Sequence, residues 1–151
     1  MIDARLKETT INWALTGSLA LALQHVPVTP HDIDIQTDRE GAYAIEQLLS
    51  EFVVRPVAFR PSEKIRSHFG ILSIGGMTVE IMGDMQKRPA GGEWEEPVDL
   101  DSHKQLLHVA GMSIPVLLLD YEYQAYLIVG RLEKAQAIQL AIRKRNAAGA
   151  K

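Results

Sequence analysis

The chain has 151 residues, 46% of them apolar and 23% charged, which is the balance of a soluble globular protein of ordinary size with a core of its own. A net charge of −3 gives no general attraction to nucleic acid, and the lack of cysteine excludes disulfides and thiolate metal sites. No secretory start and no run of about 18 apolar residues is visible, so a cytoplasmic protein without a membrane segment is expected.

Met1 to Thr10 is polar with spaced apolar residues and is expected to form a short helix packed on the sheet or a partly frayed segment. Ile11 to Thr16 predicts a first, buried strand. Gly17 permits a tight turn, and Ser18 suits the N-cap of a helix over Leu19 to Val26 that is apolar nearly all round. Pro27 and Pro30 end that helix and force an extended loop. His31 to Thr37 predicts a second strand. Asp38 caps a helix reaching about Glu51, and Phe52 to Phe59 reads as the next strand.

Arg60 to Lys64 reads as a turn. Arg66 to Ile74 and Met77 to Met82 predict a hairpin closed at Gly75-Gly76. Gly83 to Pro97 reads as an irregular segment of the kind that forms lids and binding loops. Leu106 to Ala110 and Met112 to Pro115 predict a smaller hairpin around Gly111. Two helices come next, Leu119 to Val129 and Arg131 to Asn146, separated at Gly130, and the last residues, to Lys151, are expected to fray. Strands first and helices last make this an α+β chain: a small mixed sheet flanked by helices, with a helical tail. One domain over 1–151 is expected, with a core at about 11–115 and the tail at about 116–147.

The chemistry concentrates between Trp13 and Asp38. Side chains alternate along a strand, so Asp32 and Asp34 share one face and Ile33 and Ile35 the other. Neighbouring carboxylates repel unless a cation separates them, and hard oxygen ligands favour Mg²⁺ or Mn²⁺. The same alternation also suits a plain solvent-facing strand. A Gly-Ser turn before a helix offers free N–H groups to a phosphate. Glu80, between Val79 and Ile81, is the next acid in a strand pattern, and Asp84 competes with it from the adjoining loop.

Gly17-Ser18, a spacer, Asp32-Ile33-Asp34-Ile35 and Val79-Glu80-Ile81 together resemble the signature of the nucleotidyltransferase superfamily with the DNA polymerase beta fold. The likeness covers Trp13 to Gly83, and Ile114 onward is similar to the helical tail of small bacterial members. The resemblance implies a polymerase-beta-like sheet and transfer of a nucleoside monophosphate from a nucleoside triphosphate such as ATP to an acceptor hydroxyl. It implies two Mg²⁺ or Mn²⁺ ions bound with the triphosphate. Asp32 and Asp34 would hold both ions. Glu80 would hold the nucleophile-side ion and serve as base. Gly17 and Ser18 would hold the triphosphate, with Arg131 and Lys134 of the tail as its cationic contacts.

Lys64 and Arg66 are further candidate cations. The histidines form no ligand set, and no dinucleotide fingerprint, P-loop or serine elbow is present. A small-molecule acceptor is expected from the acidic balance. A non-catalytic nucleotide-binding or partner-binding module is the alternative, as is a homodimer that builds its acceptor pocket between subunits.

Overall fold

Alternation along one central strand divides the molecule into two faces. In the computed structural model, which describes residues 1–149, that strand is β2 (Ile33–Thr37). It is flanked antiparallel by β1 (Trp13–Thr16) and parallel by β5 (Met77–Lys87). Outward from β5 lie β4 (Ile65–Ile74) and β3 (Val53–Pro61). Outward from β1 lie β7 (Met112–Leu117) and β6 (Lys104–Val109). Among the described residues this is one mixed sheet of seven strands in the order β3-β4-β5-β2-β1-β7-β6. The α+β architecture expected from the sequence is therefore the observed one.

The first face carries Leu15, Ile35, Val79, Ile81 and Leu72, all buried, and is covered by α1 (Ile2–Lys7) and α3 (Arg39–Leu48) through Leu6, Ile45 and Leu49. Asp38 caps α3 as expected, its Oδ1 accepting from Gly41 N at 2.6 Å. The helix ends earlier than expected, at Leu48, and a 3₁₀ turn over Ser50–Phe52 completes the segment. The second face carries Ala14, Thr16, Asp34, Gln36 and Leu117. Packed over it are α2 (Gly17–Leu23), α4 (Leu100–His103), α5 (Leu119–Ile128) and α6 (Leu132–Gly149), through Leu21, Leu100, Leu119 and Ile138. Ala150 and Lys151, within the tail expected to fray, lie outside the described residues. No helix among the described residues is long and apolar enough to cross a membrane.

The segment after Gly83 departs from expectation. Instead of opening into a loop, β5 continues to Lys87, with Gln86 and Lys87 paired to Arg66 and Ile65. Between the pairs His68–Gly83 and Arg66–Gln86, β5 carries one residue more than β4. Asp84 absorbs it with φ +47°, a left-handed conformation rare outside glycine. No local signal announces such a bulge in the sequence, because Gly83 reads as a terminator. Gly83 serves instead as a contact point, since an added Cβ would lie 2.7 Å from Ala42 Cβ and 2.8 Å from the Asp38 carbonyl. The helix α3 thus rests directly on β5.

Gly83→Ala is expected to lower stability by about 1–3 kcal/mol, the usual cost of overpacking a close contact. Urea unfolding of the two proteins measures it, and an unchanged midpoint would mean that α3 shifts freely.

Candidate active site

The turn from β1 into α2 fixes the geometry. Thr16 ends the strand in extended conformation, and Gly17 turns the chain with φ +73°. A Cβ on Gly17 would lie 2.1 Å from Asp34 Oδ2, so only glycine lets the turn close onto that carboxyl. Ser18 is not the N-cap: the helix begins at Gly17, Thr16 stands at the cap, and neither hydroxyl caps. The Thr16 hydroxyl donates across the cleft to Glu122 Oε1, while Ser18 Oγ accepts from His31 N at 3.3 Å.

Asp34 sits opposite Thr16 on one side and Glu80 on the other. Its carboxyl is pushed up to about 7, first by burial, then by the Glu80 charge and a hydrogen bond shared with it, then by Asp32. The Asp34 carboxyl therefore favours its protonated form beside Glu80. Asp32 lies one residue before β2, because the strand is shorter than expected and starts at Ile33. Among the described residues no three His, Asp or Glu side chains are gathered as a ligand set. Oδ1 of Asp34 and Oε1 of Gln36, two residues along the same face, are buried without a hydrogen-bond partner.

The opposite wall comes from α5. Leu119, Glu122 and Tyr126 fall at i, i+3 and i+7, so Glu122 belongs to the inward stripe of the helix. It is 3% exposed, and burial pushes its carboxyl up to about 7 despite the Thr16 hydrogen bond and the nearby cations. Sequence reasoning missed it, although a Glu on an apolar helical stripe was the available signal. Arg131 stands at the start of α6 instead of on its face. Its guanidinium lies 5.4 Å from the Tyr126 ring centre, and Lys134 Nζ lies 5.6 Å from it. Burial and the Arg131 charge hold Lys134 below the usual ammonium range, and Lys134 in turn stabilises the charged forms of Asp34 and Glu122.

Lys87 is the second residue that the sequence did not reveal. Before the bulge, Glu80 and Met82 face the cleft; after it, Met85 and Lys87 do. The shift carries Lys87 inside, 3% exposed, with Nζ 2.8 Å from Tyr121 Oη and 2.6 Å from Glu95 Oε1. These partners outweigh its desolvation and hold its pKa above the usual value. Asp84, the competing third acid, is in the strand and not in a loop, and its charge acts on His68, which bonds Tyr43 of α3 on the other face of the sheet. Lys64 is spent on the Val129 carbonyl at 3.2 Å, and Arg66 on Gln86 at 2.8 Å and the Trp94 ring.

Thr16, Gly17, Asp34 and Glu80, with Glu122, Tyr126, Arg131, Met85 and Lys87, line a cleft of about 260 Å³, whereas Ser18, Asp32 and Lys134 are not among its lining residues. A larger hollow of about 460 Å³ beside Leu6, Trp13 and Lys104 holds none of the unpaired buried oxygens, so the smaller cleft is the candidate site.

A mixed sheet that sets a Gly-Ser turn against paired strand carboxyls, with a helical tail across them, defines a member of the nucleotidyltransferase superfamily. The chain belongs to the family described as aminoglycoside-2''-adenylyltransferase, whose model matches residues 1–142. Among solved structures it is similar to a Thermotoga maritima protein assigned as a nucleotidyltransferase. The two share 57% identity over 95% of this chain and 89% of that one, with a TM-score of 0.82. It shares its fold with lincomycin-bound LnuA, a lincosamide antibiotic adenylyltransferase, at 12% identity, TM-score 0.58 and 89% of each chain. It also shares its fold with ANT(2")-Ia in complex with adenylyl-2"-tobramycin, at 15% identity, TM-score 0.57, 98% of this chain and 87% of that one. A search of curated proteins gave no match.

Asp34 and Glu122 both have folded pKa values near 7, above their unfolded values. The folded protein therefore holds more protons between the ordinary carboxylate range and about 7, and its stability falls as pH rises through that window. Urea midpoints in chelator should decline from about pH 4 to about pH 7, and Glu122→Gln should flatten part of the decline. A variant as steep as the wild type would remove Glu122 from the account.

Proposed function

We propose that this protein transfers a nucleoside monophosphate from a nucleoside triphosphate to a hydroxyl of a small molecule. The observation that carries the reading is Asp34, closed on by the Gly17 turn and set in register with Glu80, with its Oδ1 buried and unpartnered. An unpaired buried carboxylate oxygen is costly unless a cation completes it. The donor chemistry is all hard oxygen and fits Mg²⁺ or Mn²⁺, which Asp34 and Glu80 would hold, with Asp32 reaching from the residue before β2. Bound there, such an ion would neutralise phosphate charge and polarise the phosphorus under attack.

The remaining roles fall to the chain itself. Backbone N–H groups at Gly17 and Ser18 hold the triphosphate, and Arg131 and Lys134 offset its charge from α6. Glu80, beside Asp34, takes the proton of the acceptor hydroxyl. The acceptor oxygen bonds to the α-phosphorus, the bond from that phosphorus to the bridging oxygen breaks, and pyrophosphate leaves with the electron pair. Glu122, through Thr16, ties the Gly17 turn to α5 and keeps the turn closed on Asp34.

Nucleotide affinity should depend on a divalent ion, because the clustered carboxyls repel a bare triphosphate. Calorimetry with ATP should show binding in Mg²⁺ and little in chelator. Asp34→Asn should abolish pyrophosphate release while stability holds or rises, since it removes one member of a repelling pair. Equal ATP affinity with and without Mg²⁺ would refute the ion site. A fully active Asp34→Asn would refute the role of that carboxylate.

A further inference from the structure

The cleft itself constrains the acceptor, given the nucleotidyl-transfer reading on which this step rests. Displacement at phosphorus runs in line, with the entering oxygen opposite the departing one. The triphosphate seat is the Gly17 turn at the end of β1, Asp34 is on the next strand, and Glu80 on the one after. Adjacent strands lie about 4.8 Å apart, so the three positions form a short row across the sheet. Pyrophosphate departs toward β1, and the acceptor approaches from the side of β5 and β4. The acceptor half of the cleft is then the part past Glu80, lined by Met82, Met85, Ile65, Val129 and Lys87, with Gln36 of β2 beside Met82.

This half is apolar on its walls and carries two buried polar side chains. Gln36 is 4% exposed, and its Oε1 has no donor. An oxygen held that way favours a ligand that brings an N–H or O–H. Lys87 has three N–H groups, and the structure assigns partners to two, Tyr121 and Glu95. The third remains for an oxygen of the ligand. Because Glu95 already neutralises it, Lys87 asks for a neutral oxygen and not for a carboxylate. A cationic acceptor would be brought against a buried ammonium whose counter-charge is committed elsewhere. The space of about 260 Å³ is also shared with the reacting phosphate. It falls below the range of about 300–1,000 Å³ usual for pockets that enclose drug-sized ligands.

We infer that the acceptor is a compact, uncharged hydroxy compound of roughly monosaccharide size, and that Gln36 and Lys87 are the residues that select it. Its carbon face lies on Met82 and Met85, one of its donors meets Gln36 Oε1, and one of its oxygens meets Lys87 Nζ. A polycationic aminoglycoside does not fit this half of the cleft on either charge or size.

The test uses the full chain with Mg²⁺ and ATP, and reads pyrophosphate release with methyl glucoside, inositol and uridine as neutral probes and tobramycin as the polycation. Release with at least one neutral probe and none with tobramycin is the expected result. For the accepted probe, Gln36→Leu should raise KM by about tenfold, the worth of one hydrogen bond at about 1.4 kcal/mol, while the KM for ATP stays within about twofold. The double variant Lys87→Met/Glu95→Gln should act likewise, and removing the pair together avoids leaving a buried carboxylate unpaired.

Turnover of tobramycin by the wild type would overturn the inference. So would equal effects of these variants on the KM values for ATP and probe. Mg²⁺-dependent ATP binding with no probe accepted would also overturn it and leave nucleotide binding standing. Absence of ATP binding would instead remove the nucleotidyl-transfer reading itself.

Discussion

The structure depends on one half-buried carboxyl, one of whose oxygens is cut off from water. Asp34 is placed on a central strand, with a second acid on the neighbouring strand and a glycine turn on the other side. Each surrounding feature answers to it. Gly17 is the residue that the approach of Oδ2 permits, and Thr16 turns its hydroxyl away from the helix cap toward Glu122. Burial, and after it the neighbouring Glu80, raise the pKa of Asp34 and favour its protonated form. A fold optimised for stability alone would place an apolar residue here. In the proposed function the site would trade a proton for a cation, because both neutralise the same oxygens.

How much could be read from the sequence depends on which interactions are local. The α3 cap at Asp38, the Gly75-Gly76 hairpin and the alternation around Ile33 and Ile35 are short-range patterns, and each appears where expected. The juxtaposition of Asp34 with Glu80 was accessible only through the resemblance, since strands 46 residues apart pair by topology and not by spacing. Ser18 misled because a serine beside a glycine is a good cap in isolation, whereas here a distant glutamate decides how the turn is held. Glu122 was in view as a polar residue on an apolar stripe, yet a single acid in a helix carries little meaning until the opposite wall is known.

Lys87 lay beyond sequence reasoning for a different reason. Its placement comes from one extra residue in β5, absorbed at Asp84 in a conformation that costs about 1–2 kcal/mol outside glycine. Without the bulge, period-two alternation would set Lys87 on the same face as Val79 and Ile81, away from the cleft. The strained residue therefore does two things at once. It lets Gly83 finish the contact with α3 in register, and it reverses the faces of every later residue in the strand.

That reversal links the fold to selectivity. The carboxyl end of the cleft is fixed by β1, β2 and the first part of β5, before the bulge, so the transfer chemistry does not require Lys87. The acceptor end is fixed by Met85 and Lys87, past the bulge, together with the segment that Glu95 holds against Lys87 and that Val98 N fastens to the Met85 carbonyl at 3.2 Å. Chemistry and selection thus rest on the same strand but on opposite sides of one irregular residue. A change in the position or length of the bulge would turn a different side chain inward and alter the acceptor, while the pairing of Asp34 with Glu80, formed upstream, would be unaffected.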